Sequence, residues 1–202
     1  DFCLSRGLGD VYKRQDNAAQ LKETIDTYLA NHPEVDKGRI YLAGVSNGGG
    51  MVLTMGATYP DYFAALIPIA APLTVDQSGI DKLKNQPMWL IHTKADATVQ
   101  PENSVLPLYK SLITSGATNK WFSYFETATG TDLPGTEYDG HWAWIYFFHD
   151  QVIGVQHPEN TKNWDGYSGM VATNPTNGGG SRASVNGQTY NSIFDWMSAQ
   201  RH

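Results

Sequence analysis

An apolar run, Ile40-Tyr41-Leu42-Ala43, leads straight into Gly44-Val45-Ser46-Asn47-Gly48, and a helix-compatible stretch over 51–59 leads out. A strand joined to a helix through so few residues leaves little choice of geometry. The turn must be sharp, and the residue at its apex takes a strained backbone that needs small neighbours on both sides. Glycine stands two residues before Ser46 and two after it. Gly-x-Ser-x-Gly alone is common in loops; the flanking strand and helix give it weight here. Ser46 is therefore the candidate nucleophile, its hydroxyl lifted clear of a sheet edge.

The alternation continues along the chain. Ala18, Leu21, Ile25, Tyr28 and Leu29 recur at helical spacing, with Asp16 or Asn17 as cap and His32-Pro33 as stop. Strands are expected over 39–45, 63–70, 87–91 and 120–126; the second is a near-continuous apolar run, as in strands buried on both faces. Pro101 suits a helix start, and Val105, Leu108, Tyr109 and Leu112 give that helix an apolar face before Ser115-Gly116 ends it. Residues 142–148 and the set Tyr190, Ile193, Phe194 and Met197 predict two closing helices, and no helix is expected between the second and third strands. The order predicts an α/β fold, a mostly parallel sheet flanked by helices.

Two segments stand apart from this pattern. Residues 1–15 (DFCLSRGLGDVYKRQ) show neither strand alternation nor a helical stripe nor a signal-peptide pattern, and they resemble adapter-derived read-through. A non-native leader is expected there, with the domain proper at 16–202, and the one cysteine, Cys3, falls inside the leader. Residues 154–188, rich in glycine, asparagine and serine, read as an irregular insertion: either a solvated loop or a flap using Trp164 and Tyr167.

Composition narrows the function classes. A chain of 202 residues suits one domain with a sizeable core. A net charge of -6 with no basic run argues against nucleic-acid binding. No apolar stretch is long enough to span a bilayer, so no membrane partner is expected. His149, Asp150, His157 and Glu159 form a loose group whose spacing matches no compact ligand motif, so no metal and no cofactor is expected. Gly48-Gly49-Gly50 lacks the lysine of a phosphate loop.

A serine hydroxyl is a poor nucleophile at neutral pH, so it needs a base within hydrogen-bonding reach and a carboxylate to orient that base. Asp96 lies four residues past His92, just beyond the third strand, and His141 follows the last strand between Gly140 and Trp142. Serine, acid, histidine in that order, with the nucleophile on a strand-to-helix turn, resembles the chain order of α/β-hydrolase folds. Other candidates are weaker. His149 suits a helix flank, His157 and His202 suit solvent, His92 precedes the acid and suits a buried strand end, and Asp36 suits a local cap. Asp139 is the main rival for the acid, and Asp132 also lies in a late loop.

Residues 36–50 (DKGRIYLAGVSNGGG), the strand end WLIHTKADATV, Gly140-His141-Trp142 and the closing Ser192-Ile193-Phe194-Asp195-Trp196-Met197 resemble α/β-hydrolase esterases. The nearest branch holds polyhydroxybutyrate depolymerase-like and feruloyl-esterase-like enzymes and prolyl-oligopeptidase-type serine peptidases. The resemblance implies hydrolysis of a small-molecule or polymer ester, or of an amide, through an acyl-enzyme, often by a secreted bacterial protein. Ser46, Asp96 and His141 would be the catalytic residues, and the backbone N–H of Asn47 would hold the oxyanion. The second oxyanion donor commonly comes from a histidine-glycine loop after an earlier strand, and none precedes Ser46. The first strands of that fold are therefore expected to be missing, leaving the serine strand an exposed edge and the isolated chain poorly soluble or weakly active. Trp142 and Tyr138, with Trp144, suggest an aromatic-lined mouth beside the base or, equally, core packing. A peptidase of the same fold and a non-catalytic binding protein are the alternative readings.

Overall fold

Four strands assemble into one parallel sheet in the computed structural model, which describes residues 8–72, 75–130, 133, 135–157 and 165–202, with side chains from residue 17 onward. In chain order they are β1 (Tyr41–Val45), β2 (Ala65–Ile69), β3 (Met88–Thr93) and β4 (Lys120–Phe125), and neighbours in sequence are neighbours in the sheet. All three pairings are parallel. Parallel neighbours cannot be joined by a hairpin, so each connection carries a helix. These are α2 (Asn47–Thr58), α3 (Gln77–Leu83) and α4 (Val105–Thr114), preceded by α1 (Leu8–Asn31).

Helix α3 is a crossover helix that the sequence pattern did not predict. It has seven residues and only Gly79, Ile80 and Leu83 buried, too short a stripe to register as periodic. Asp76 caps it, accepting from the Gly79 N–H at 2.8 Å. At the other extreme, α1 begins at Leu8, well before the expected cap at Asp16 or Asn17, so part of the segment set aside as a leader is helical. Each residue added to an existing helix closes one further hydrogen bond, and Asp and Asn inside an exposed helix lower its stability only slightly. Cys3 lies outside the described residues.

The two faces of the sheet bury different clusters. Leu66, Met88, Leu90, Phe122 and Tyr124 point toward α1 through α4, where they meet Ala18, Leu53, Met55, Leu83 and Leu108. Ile67, Ile69, Trp89, Ile91, Trp121 and Phe125 point the other way. There they meet α5 (Trp144–Phe148) and α6 (Ile193–Ala199) through Tyr146, Phe147, Ile193 and Trp196. Trp89 stacks on Trp121 at 5.1 Å, and Trp196 closes on Trp89 edge-on at 5.3 Å.

Among the described residues of 154–188, several pair along the outer edge of β4, so this part of the segment is not a free solvated loop. A short ladder, β5 (Ala128–Thr129) with β6 (Glu137–Tyr138), shapes the loop after β4. Beyond α5, β7 (Gly154–Val155) pairs antiparallel with β8 (Ser181–Arg182). The backbone N–H of Tyr124 donates to Gly179 O at 2.7 Å, that of Glu126 to Thr173 O at 2.8 Å, and that of Gln156 to Phe122 O at 2.7 Å. Gly179, at φ +93°, packs so closely that a Cβ there would lie 2.9 Å from Ser123 Cα. The buried Gln156 side chain accepts from Val171 N–H at 2.9 Å and donates to Val171 O at 2.8 Å. Backbone groups at an open sheet edge need partners, and a glycine-rich segment supplies them without an apolar pattern. Tyr167 packs against the helix-side cluster, and Trp164 lies outside the described residues.

The opposite edge is different. Among the described residues no strand pairs with the outer side of β1, whose Ala43 is exposed and whose other residues are half-buried, whereas every residue of β2, β3 and β4 is buried. The serine strand is therefore an edge strand, as expected.

Lys120, the first residue of β4, is fully buried. Its ammonium donates to Lys84 O at 3.0 Å and to Gln86 O, tying the foot of β4 to the end of α3. Burial pulls its pKa down to about 7. An unfolded lysine titrates near ~10.4, so between those two values the unfolded chain binds more protons than the folded one, and stability rises with pH across that window. Urea midpoints at pH 7 and pH 9.5 are expected to show this rise in the wild type and a flatter response in Lys120→Met.

Candidate active site

The turn after β1 has the geometry that its glycines suggested. Ser46 sits at φ 54°, ψ -120°, a left-handed conformation that costs a non-glycine residue about 1–3 kcal/mol. Its N–H donates to Ile69 O at 2.9 Å, which fixes the turn against the end of β2. A Cβ on Gly44 would lie 2.5 Å from the Gly48 carbonyl carbon, and one on Gly49 would lie 2.7 Å from Ile69 O. Gly48 itself faces open space. The steric demand thus falls on Gly44 and Gly49, and Gly48 matters as the backbone that Gly44 must clear. Asn47 is the first residue of α2, so its N–H is one of the helix's unpaired donors and lies at the positive end of the helix dipole.

Asp96 lies in the turn that follows β3 and is 2% exposed. Its Oδ1 accepts from the N–H groups of Thr98 at 3.0 Å and Val99 at 2.7 Å. Its Oδ2 accepts from His141 Nδ1 at 2.8 Å. Burial pushes the carboxyl pKa up, but the hydrogen bonds from His141, His92 and Val99 outweigh it and hold the group well below the usual carboxylate range. Asp96 therefore stays ionised beside the imidazole.

His141 is half-buried on the loop past β6, and three contacts set its place. Asp139 accepts from the His141 N–H at 2.8 Å. Thr93, the last residue of β3, donates its hydroxyl to Gly140 O. Gly140 packs onto the acid's own turn, where a Cβ would run into Ala95 O and come within 2.7 Å of Asp96 N. Only glycine lets the histidine loop approach this closely. Trp144 lies edge-on to the His141 ring at 5.8 Å.

Of the three expected catalytic side chains, the structure brings Asp96 and His141 into contact, while Ser46 stands on the same carboxyl edge of the sheet two strands away. Among the described residues neither Ser46 Oγ nor His141 Nε2 has a hydrogen-bond partner. Such bonds are often open in ligand-free sites and tighten on the substrate. The rival groups are engaged elsewhere. The Asp139 carboxylate holds the His141 backbone, Asp36 accepts from the Gly38 N–H at 3.0 Å, and His149 Nδ1 pairs with Ile145 O at 2.8 Å. His202 reaches Lys37 O, and His157 pairs with Ser181. Asp132 and Glu159 lie outside the described residues. Tyr138 and Trp142 stack at 5.3 Å, and Trp142 is 42% exposed beside His141, so neither forms part of the core. Sequence reading missed Thr93 and the role of Gly140, whose only signal was small size next to a histidine.

Because Gly140 sets the distance between the His141 loop and the Asp96 turn, Gly140→Ala is expected to displace His141 while leaving the sheet intact. Displacements of about 1 Å at such a site cost on the order of a hundredfold in rate. Fluorophosphonate labelling of the chain should slow by about that factor, with the far-UV circular dichroism unchanged.

Residues 22–131, more than half of the chain, match the family described as BAAT / acyl-CoA thioester hydrolase C terminal. That stretch carries Ser46 and Asp96 and ends before His141. Over 62 residues the chain is 44% identical to poly(3-hydroxyalkanoate) depolymerase C of Paucimonas lemoignei, a match covering 31% of this chain and 15% of that protein. In structure it is similar to a thermostable esterase, with a TM-score of 0.55 and 29% identity over 66% of this chain and 34% of that one. The Pyrococcus horikoshii acylaminoacyl peptidase shares the fold at a TM-score of 0.50 and 19% identity, over 65% of this chain and 26% of that one. The chain thus spans about a third or less of the length of each of these relatives. Sheet order, serine turn and relatives agree: the chain has the α/β-hydrolase fold and belongs to the BAAT / acyl-CoA thioester hydrolase C-terminal family.

Proposed function

We propose that this chain carries the catalytic residues of a serine hydrolase that cleaves carboxylic esters through an acyl-enzyme on Ser46. The observation that carries the reading is the buried, ionised Asp96 holding His141 at 2.8 Å on the sheet edge where a strained turn presents Ser46. The bond from Nδ1 to Asp96 leaves Nε2 as the basic nitrogen of His141. Nε2 takes the Ser46 proton as Oγ attacks the acyl carbon, and the ionised Asp96 stabilises the imidazolium that forms. The Asn47 N–H, at the start of α2, stabilises the oxyanion. Collapse expels the alcohol, which leaves with the proton from Nε2. Water then repeats the sequence on the acyl-enzyme and releases the acid.

An ester substrate is favoured by the depolymerase and esterase likenesses taken together. The substrate is a small-molecule or polymer ester, and Trp142 with Tyr138 offers it a ring surface next to the base. Ser46→Ala and His141→Ala should each abolish labelling by a fluorophosphonate probe and reduce p-nitrophenyl acetate hydrolysis by at least about a thousandfold. Faster turnover of a peptide anilide than of the acetate would assign the chain to peptidases. Absence of Ser46-dependent labelling would assign it to non-catalytic binding.

A further inference from the structure

His92 is the residue of this region that the proposed mechanism does not use. It is the fifth residue of β3 and is 0% exposed. Its Nε2 lies 2.8 Å from Val99 O and 3.3 Å from Asp96 Oδ2. Its Nδ1 is buried and has no partner. Nε2 faces two oxygens and Nδ1 faces none, so the proton belongs on Nε2, a tautomer assigned from the partners present. An apolar ring could fill the same volume without orphaning a nitrogen, so volume alone does not account for a histidine here.

We propose that His92 is a positioning residue for Asp96, its Nε2–H fixing both the carboxylate and the turn that holds it. Through Val99 O, the ring braces the turn whose Thr98 and Val99 N–H groups grip Oδ1. Beside the three hydrogen bonds that Asp96 accepts, from Thr98 N–H, Val99 N–H and His141 Nδ1, His92 Nε2 makes a 3.3 Å polar contact with Oδ2. A carboxylate so held cannot rotate away from His141, and Oδ2 shares its electron density between two imidazoles. The ionisable side chains that bear on Asp96 are His92 from β3 and His141 from the loop past β6, while the Asp139 carboxylate faces the His141 backbone. Without the second donor, Oδ2 holds the His141 proton more tightly.

The inference rests on the proposed roles of Ser46, Asp96 and His141, and its test uses two variants and readouts with and without turnover. For p-nitrophenyl acetate, His92→Phe is expected to keep KM, lower kcat by about tenfold and move the acidic limb of the pH–rate profile to higher pH. In proton NMR, the low-field resonance of the His141 Nδ1 proton should move further downfield. His92→Gln keeps an N–H donor near the same place and should bring both readouts back toward wild type. In the wild type, nitrogen shifts of His92 should report the Nε2–H tautomer, which needs no variant to fold. An Nδ1–H tautomer, or a folded His92→Phe with an unmoved limb and resonance, overturns the proposal. Absence of Ser46-dependent labelling defeats the hydrolase reading instead, and the His141 resonance still reports on His92.

Discussion

The Asp96 carboxylate is the junction on which the site depends. It accepts from the backbone of its own turn and from an imidazole that arrives 45 residues later in the chain. Buried without those donors, it would protonate and release His141. With them, a charge sits in the interior and orients everything around it. The backbone approach at Gly140 and the Thr93 hydroxyl serve the same junction by bringing the second loop within reach. The arrangement of this edge is therefore a property of loop-to-loop packing as much as of the individual side chains.

Much of this was legible in the sequence because the relevant constraints are local. The serine turn is written in five residues, and the buried strands announce themselves as apolar runs with a breaker at each end. The place of Asp96 was legible through its distance from a strand end, and that of His141 through its position after the last long strand. What escaped notice depends on contacts between distant segments. Gly140 resembles any loop glycine until Ala95 stands against it. Thr93 resembles a strand end until its hydroxyl finds a carbonyl 47 residues away. Helix α3 escaped because seven residues with one small inward face carry no measurable period.

The pairing role of the glycine-rich segment escaped notice for a related reason. Hydrophobic patterning reports side chains, and this segment works through its backbone. Its amides and carbonyls complete β4, while Gln156 and Ser123 supply the two side-chain fastenings that a packed core would otherwise provide. Low apolar content was consistent with an ordered role that no side-chain periodicity could reveal.

The two margins of the sheet also differ, because among the described residues only the β4 side is covered, and by chain that is synthesised late. The partners that seal the β4 side reach from Gly154 to Gly179, so 179 - 125 = 54 residues separate the end of that strand from the last of them. At ~5–20 residues per second of synthesis, that interval is roughly 3–11 s. Throughout it, a nascent chain carries β4 with an unpaired flank, open to pairing with a neighbouring chain.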